Sequence, residues 1–315
     1  MHFDVEKRTI LLARHGSHAY GTNIEGSDED FKGVCIKPKE CYLGFVQRFE
    51  QFEHMGAKTD GIDKVIYSLD KFAALAADCN PNIIELLWVD DADIVHIDTF
   101  GEELRSFKEE FISKKARFTF SGYAHAQLKR IKTHRSWLLD PPKRRPERSD
   151  FHLSETTKVS QSELGAFDAA LRDGIEIELP KDVLTLFTRE KQYQAEKTRY
   201  DQYMNWARSR NPARAELEAK YGYDTKHGGH LIRLMRMCRE ILLTGKVLVK
   251  RPDRDELLAI RVGKVSYDGL IEEAERIEAE CDELYKTSSL RKEPDRTALD
   301  VRVIDMTDRY LRLHG

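Results

Sequence analysis

Cysteine is sparse in this chain of 315 residues: five in all, at positions 35, 41, 79, 238 and 281, with no Cys-x-x-Cys pair. An odd, scattered set argues against a disulfide framework and against structural zinc, and it points to a reducing, cytoplasmic setting. Long apolar runs are missing as well. No stretch approaches the roughly 20 residues of a membrane span, and with 34% charged residues and a mean hydropathy of −0.59 no membrane partner is expected. The opening Met1-His2-Phe3-Asp4-Val5-Glu6-Lys7-Arg8 carries too much charge for a secretory leader, so none is expected. An excess of either charge is also lacking, the formal net charge being −3. Attraction of nucleic acid to the whole molecule is thereby excluded, and any such affinity must come from local patches. No internal repeat is evident, and the length suffices for two domains with separate cores.

The chemistry concentrates near the N-terminus. The chain reads Arg14-His15-Gly16-Ser17-His18-Ala19-Tyr20-Gly21-Thr22, then a turn, then Ser27-Asp28-Glu29-Asp30-Phe31-Lys32-Gly33. The apolar run Ile10–Ala13 before it has strand length, and Val34-Cys35-Ile36 after it is β-prone. A strand therefore ends at a Gly-Ser corner and a second strand opens with two carboxylates spaced i, i+2. On a strand that spacing puts Asp28 and Asp30 on one face, about 6 to 7 Å apart. Two acids aimed one way beside a glycine turn suit Mg²⁺, while backbone N–H groups of Gly16 and Ser17 can approach a phosphate unhindered by a Cβ. For a third acid, Gly61-Ile62-Asp63-Lys64-Val65-Ile66-Tyr67 reads as a strand that feeds a helix from Ser68 to Ala77. Asp63 would lie beside Asp28 and Asp30 if the two strands pair. Asp60, in a glycine-flanked turn, is the competitor, and a fixed strand holds a ligand better than a loop.

This constellation resembles the nucleotidyltransferases of the DNA polymerase β superfamily, whose signature is Gly-Ser, a spacer, Asp-x-Asp and a later third carboxylate. Within it, Gly-Ser-x-x-Tyr-Gly-Thr…Ser-Asp-x-Asp-x-x-Gly is similar to the RNA-ligase-associated, RNA repair family at every position. The resemblance implies an α+β fold: a small mixed-sheet, polymerase β-like palm domain over residues 1–105, followed by a mostly helical domain over 106–315. It implies transfer of a nucleoside monophosphate from a triphosphate such as ATP to an RNA (tRNA) end, with Mg²⁺ or Mn²⁺ held by Asp28, Asp30 and Asp63. Gly16, Ser17, Thr22 and Ser27 are expected at the nucleotide, and an RNA ligase is expected as a functional partner. The same site could instead modify a protein hydroxyl or a small molecule, as toxin–antitoxin AMPylating enzymes do. A non-catalytic regulator is disfavoured because all three acids are present.

Further along, Asn80-Pro81-Asn82 marks a helix start with Asn80 as N-cap. Glu85, in a segment that also resembles the family, reads either as a fourth cleft acid or as a carboxylate favoured by the helix dipole. Residues 107–139 carry Lys114, Lys115, Arg117, Lys129, Arg130, Lys132 and Arg135, interleaved with Tyr123, His125, His134 and Trp137. Mixed cations and stackable rings beside a nucleotide site fit RNA contact, against plain solvation of a helix face. The basic, proline-rich 140–149 cannot be helical through its middle and reads as a connection able to order on a polyanion. A helix follows Asp224, with an apolar stripe at Leu231, Leu234, Met235, Cys238, Ile241 and Leu242 and a stop at Gly245. Lys226, His230 and Arg233, at i, i+4 and i+7, share another face and suit a triphosphate or an RNA phosphate. This string, too, resembles the family.

Overall fold

A computed structural model describes residues 3–56, 61–156, 158–173 and 180–314, so Asp60 lies outside the described residues. Among the described residues five strands form one mixed sheet: β1 (Thr9–His15), β2 (Glu29–Cys35), β3 (Gln51–Met55), β4 (Ile62–Ser68) and β5 (Ile94–Ile97), in the order β3-β4-β2-β1-β5. The β2–β4 pair is parallel and the others are antiparallel. β1 lies inside the sheet, and its Ile10, Leu11 and Ala13 are wholly buried. Gly33 allows β2 to pass close to β1, since a Cβ there would stand 2.8 Å from the Leu11 carbonyl oxygen. Between the strands lie α1 (Gly16–Tyr20), α2 (Lys39–Leu43), α3 (Leu69–Ala77) and α4 (Pro81–Ile84). At α4 the Asn80 side chain accepts from the Asn82 N–H, with Pro81 at the first helical position. The N-cap needs an acceptor and Pro lacks only a donor the helix would not use.

The rest is helical: α5 (Thr99–Ser106), α6 (Ala116–Leu139), α7 (Gln161–Arg172), α8 (Lys181–Ser209), α9 (Pro212–Tyr221), α10 (Thr225–Thr244), α11 (Arg254–Arg261), α12 (Tyr267–Thr287) and α13 (Arg296–His314). A mixed sheet followed by helices is the α+β architecture expected from the sequence. None of the helices, among the described residues, is long and apolar enough to cross a membrane. The five cysteines are free and buried.

The chain forms two compact units, one of residues 1–131 with 223–315 and the other of residues 132–222. The boundary expected at 105 thus falls inside the first unit. The C-terminal helices return to the sheet-bearing unit because their apolar stripes need it. α13 packs on α3, and α10 packs on α11 and α12 with Leu231, Leu234, Cys238 and Ile241 buried. Asp224 caps α10 by accepting from the His227 N–H, and Gly245 ends it in the left-handed region.

In the second unit, Trp137 is buried in a ring cluster with His134, Tyr203 and Trp206. That corrects the expectation of a ring available for stacking on RNA: an indole has too much apolar area to leave exposed when a core is within reach. The proline-rich stretch is also more than a connection. Arg148 is buried and forks onto both oxygens of Glu190, at 2.9 and 2.8 Å, pinning the stretch to α8.

Candidate active site

β1 delivers the chain to the corner. His15 is extended, and Gly16 then takes φ +64°, a left-handed conformation that glycine adopts without strain. A Cβ at Gly16 would overlap Oδ2 of Asp30 and lie 2.8 Å from its Cγ. The corner backbone therefore lies directly against the carboxylate. Gly16 and Ser17 open α1, where backbone N–H groups have no helical partner.

The acids come from two adjacent strands. Asp28 is exposed just ahead of β2, and Asp30 is half-buried within it. In the parallel β2–β4 ladder Asp30 is the register partner of Asp63. Register partners point to the same face, with strands about 4.8 Å apart, so the two carboxylates are neighbours. Asp63 Oδ1 accepts from the Gly56 N–H at 3.0 Å, which fixes the side chain. Burial, and then the facing Asp63, push the Asp30 carboxyl above its ordinary value, while Lys32 and Lys226 pull it back. The structure thus brings Gly16, Asp28, Asp30 and Asp63 together, with Lys226 exposed at the start of α10 near enough to act on Asp30.

Thr22 and Ser27 build the loop that presents Asp28. The Thr22 N–H donates to the Ser17 carbonyl at 2.9 Å, and Ser27 Oγ accepts from the Ile24 N–H at 3.0 Å. Arg261 of α11 ties both down, donating to the Thr22 carbonyl at 2.8 Å and to Ser27 Oγ at 3.5 Å. Arg261 escaped sequence reasoning because its partners lie more than 230 residues away.

Arg233 does something other than expected. It is 3% exposed, and its Nη1 donates to Glu85 Oε1 at 2.6 Å. Its guanidinium lies 3.8 Å over the Tyr20 ring. A cation so enclosed does not meet a triphosphate or an RNA strand, which corrects the expectation of direct contact. The face shared by Lys226, His230 and Arg233 runs from solvent into the interior: exposed, half-buried, then buried. His230 Nδ1 is 3.2 Å from Arg233 Nη2. Burial, and then Arg233, lower its pKa to about 3, so the ring is neutral at physiological pH and carries no charge to a phosphate.

Glu85 is the centre of this buried network. It is fully buried, accepts from Tyr20 Oη at 2.6 Å and lies 3.2 Å from His15 Nε2. Burial opposes its charge, but Arg233, His15 and Tyr20 more than offset that and hold the carboxyl well below the usual range. Neither sequence reading of Glu85, cleft acid or helix-dipole carboxylate, describes it. It ties α10, through Arg233, to the strand and helix on either side of the Gly-Ser corner. Burial, and then Lys32, hold His15 at a pKa of about 4, so it too is neutral. Tyr20 and Arg233 both stand in the noted motifs, and their pairing through a third residue was the missing signal.

The basic surface of α6 is partly spent within the first unit. Lys115 pairs with Asp78 at 2.6 Å, Arg117 with Asp282 at 2.7 Å, and His125 lies 3.3 Å from Glu278. Lys129, Arg130 and Lys132 remain exposed.

Residues 2–138 match the model of a family described as RNA repair pathway DNA polymerase beta. The chain is also 25% identical, over 321 aligned residues, to an uncharacterized 38.9 kDa protein in the nrdC–mobD intergenic region of Enterobacteria phage T4. That alignment covers 90% of this chain and 93% of the phage protein. No solved structure gives a significant match. The matched stretch, less than half of the chain, contains the sheet, the Gly-Ser corner and Asp28, Asp30, Asp63 and Glu85, and in this stretch the chain is similar to the RNA repair pathway DNA polymerase beta family.

Proposed function

We propose that the protein transfers a nucleoside monophosphate from a nucleoside triphosphate to a hydroxyl at an RNA end, in a repair setting shared with an RNA ligase. The observation that carries this reading is the register pairing of Asp30 with Asp63 against the Gly16 corner. The donor set is all carboxylate, which suits Mg²⁺ or Mn²⁺ rather than a softer metal. Burial, and then repulsion from Asp63, raise Asp30, and a bound divalent cation would relieve that repulsion. Asp28, Asp30 and Asp63 would hold such ions. When bound, they supply charge neutralisation at the triphosphate and acidify the acceptor hydroxyl.

The protein's own groups do the rest. The N–H groups of Gly16 and Ser17 donate to phosphate oxygens, and Lys226 adds a positive charge on the same side. Thr22 and Ser27 act on the nucleotide through the shape of their loop. Asp63 stands at the acceptor side and takes the hydroxyl proton as the new phosphodiester bond forms and pyrophosphate leaves. Arg233 and His230 serve behind the site, holding Glu85 and with it the corner. Incubation with each α-labelled triphosphate, Mg²⁺, and either RNA, tRNA or total cell protein tests the reading. Label in RNA is expected. Label in protein alone identifies a protein-modifying enzyme and overturns the RNA assignment.

A further inference from the structure

Beyond the acids, the same sheet face continues as a strip of side chains that no step above uses. Strand residues alternate faces, so Asp63, Val65 and Tyr67 of β4 point one way. Their partners on β3 are Met55, Glu53 and Gln51, which share that face. Val65 and Tyr67 are half-buried, and Met55 is 62% exposed although apolar. On β1 and β2 the equivalent face is filled: His15 and Leu11 are buried, and Lys32 donates to the Asn82 carbonyl at 2.5 Å. Among the described residues, the half of the face on β3 and β4 is therefore the open half, and it begins at the acids. At its far end the Tyr67 hydroxyl is raised by burial, then by Glu53 of β3 and by Tyr123 of α6, so both lie close to it, and Tyr123 is itself half-buried.

We propose that this strip seats the last nucleotides of a single-stranded RNA acceptor, with Met55 and Val65 under the terminal nucleoside and Tyr67, beside Tyr123, stacking the base before it. The assignment rests on the proposed RNA acceptor and deepens it. Distance along the strand sets the two seats. Val65 is about 7 Å and Tyr67 about 13 Å from Asp63 at the rise of a β-strand. Tyr67 is then too far to meet the nucleoside whose hydroxyl sits at the acids, yet within reach of its neighbour. An aromatic platform is tolerant of sequence because every base has a π-face. A base held in a duplex cannot lie on it, so the strip selects frayed or unpaired ends.

The test compares Tyr67→Ala, Tyr67→Phe and Met55→Ala with the unaltered protein, each first checked for a native melting transition. Two readouts are used: KM for the triphosphate and for acceptor RNA, and direct binding of a fluorescent single-stranded RNA without metal. Tyr67→Ala is expected to raise the RNA KM and Kd by about 5- to 150-fold, the range for losing one base–aromatic stack. Tyr67→Phe should retain affinity, and the triphosphate KM should stay unchanged in both. Met55→Ala, an exposed site with little bearing on folding, should weaken RNA binding without moving triphosphate binding. A rise confined to the triphosphate KM, or no change in RNA binding for either alanine variant, overturns the strip. If the unaltered protein labels no RNA at all, the acceptor reading fails, and the metal-free RNA titration still judges the strip on its own.

Discussion

Glu85→Gln keeps the shape of the side chain and removes its charge, leaving the Arg233 guanidinium buried without a counter-ion. The pair is 3% and 0% exposed with a 2.6 Å contact, so solvent cannot take over the role of either partner. Breaking a buried pair by removing one member costs about 3–5 kcal/mol. Against a total stability of about 5–15 kcal/mol, that is a large fraction. Arg233→Met should cost a similar amount, because Glu85 then loses its guanidinium partner and keeps Tyr20, neutral His15 and the attraction of Lys32. The double variant Glu85→Gln/Arg233→Met removes the charges together and should recover most of the loss, since an apolar filling of a buried ion-pair site is often near neutral. Urea unfolding followed by circular dichroism, on all four proteins at one pH, gives the coupling energy. A value of about 2 kcal/mol or more is expected. Single variants that unfold like the unaltered protein, or losses that simply add, would refute the account of Glu85 as the buried counter-ion of Arg233.

That network also shows where sequence reasoning stops. The Gly-Ser corner, the strands beside it, the helix after Ser68, the Asn80 cap and the Gly245 stop are local features, set by residues within a few positions, and each is present. The facing of Asp30 and Asp63 needed one further condition, that β2 and β4 pair, and they do. Arg233 was different. Helical spacing groups it with Lys226 and His230 on one face, but spacing cannot say that this face passes from solvent to interior along its length. Its partner Glu85 lies 148 residues away. Trp137 and Arg148 were misjudged for the same reason, since each is buried by a helix more than 40 residues further on.

Three further outcomes are expected. Gly16→Ala should abolish transfer and cost about 1–3 kcal/mol of stability, because φ +64° and the Asp30 carboxylate both oppose a Cβ; normal turnover would contradict the corner's role. Asp30→Asn should hold or raise stability at neutral pH. Its folded pKa is raised, so the charged form is disfavoured in the native state, and the gain should vanish below the ordinary aspartate pKa of about 4; a melting-temperature series across pH shows either pattern. His15 titrates near 4 instead of 6.5, so protonation favours the unfolded chain, and the native state should lose on the order of 3 kcal/mol as pH falls from about 6.5 to about 4. Replacing His15 with Gln should flatten that limb, and an unchanged slope would contradict its burial in the neutral form.

The most direct test of the central claim is transfer of α-labelled nucleotide to RNA by the double variant Asp30→Ala/Asp63→Ala under single-turnover conditions with Mg²⁺. These two carboxylates form the proposed metal platform, and neither takes part in the Glu85–Arg233 ion pair. A folded protein, with a melting temperature at or above that of the unaltered chain, and no detectable transfer are expected. A folded double variant that still labels RNA at a rate near that of the unaltered protein would contradict the central claim.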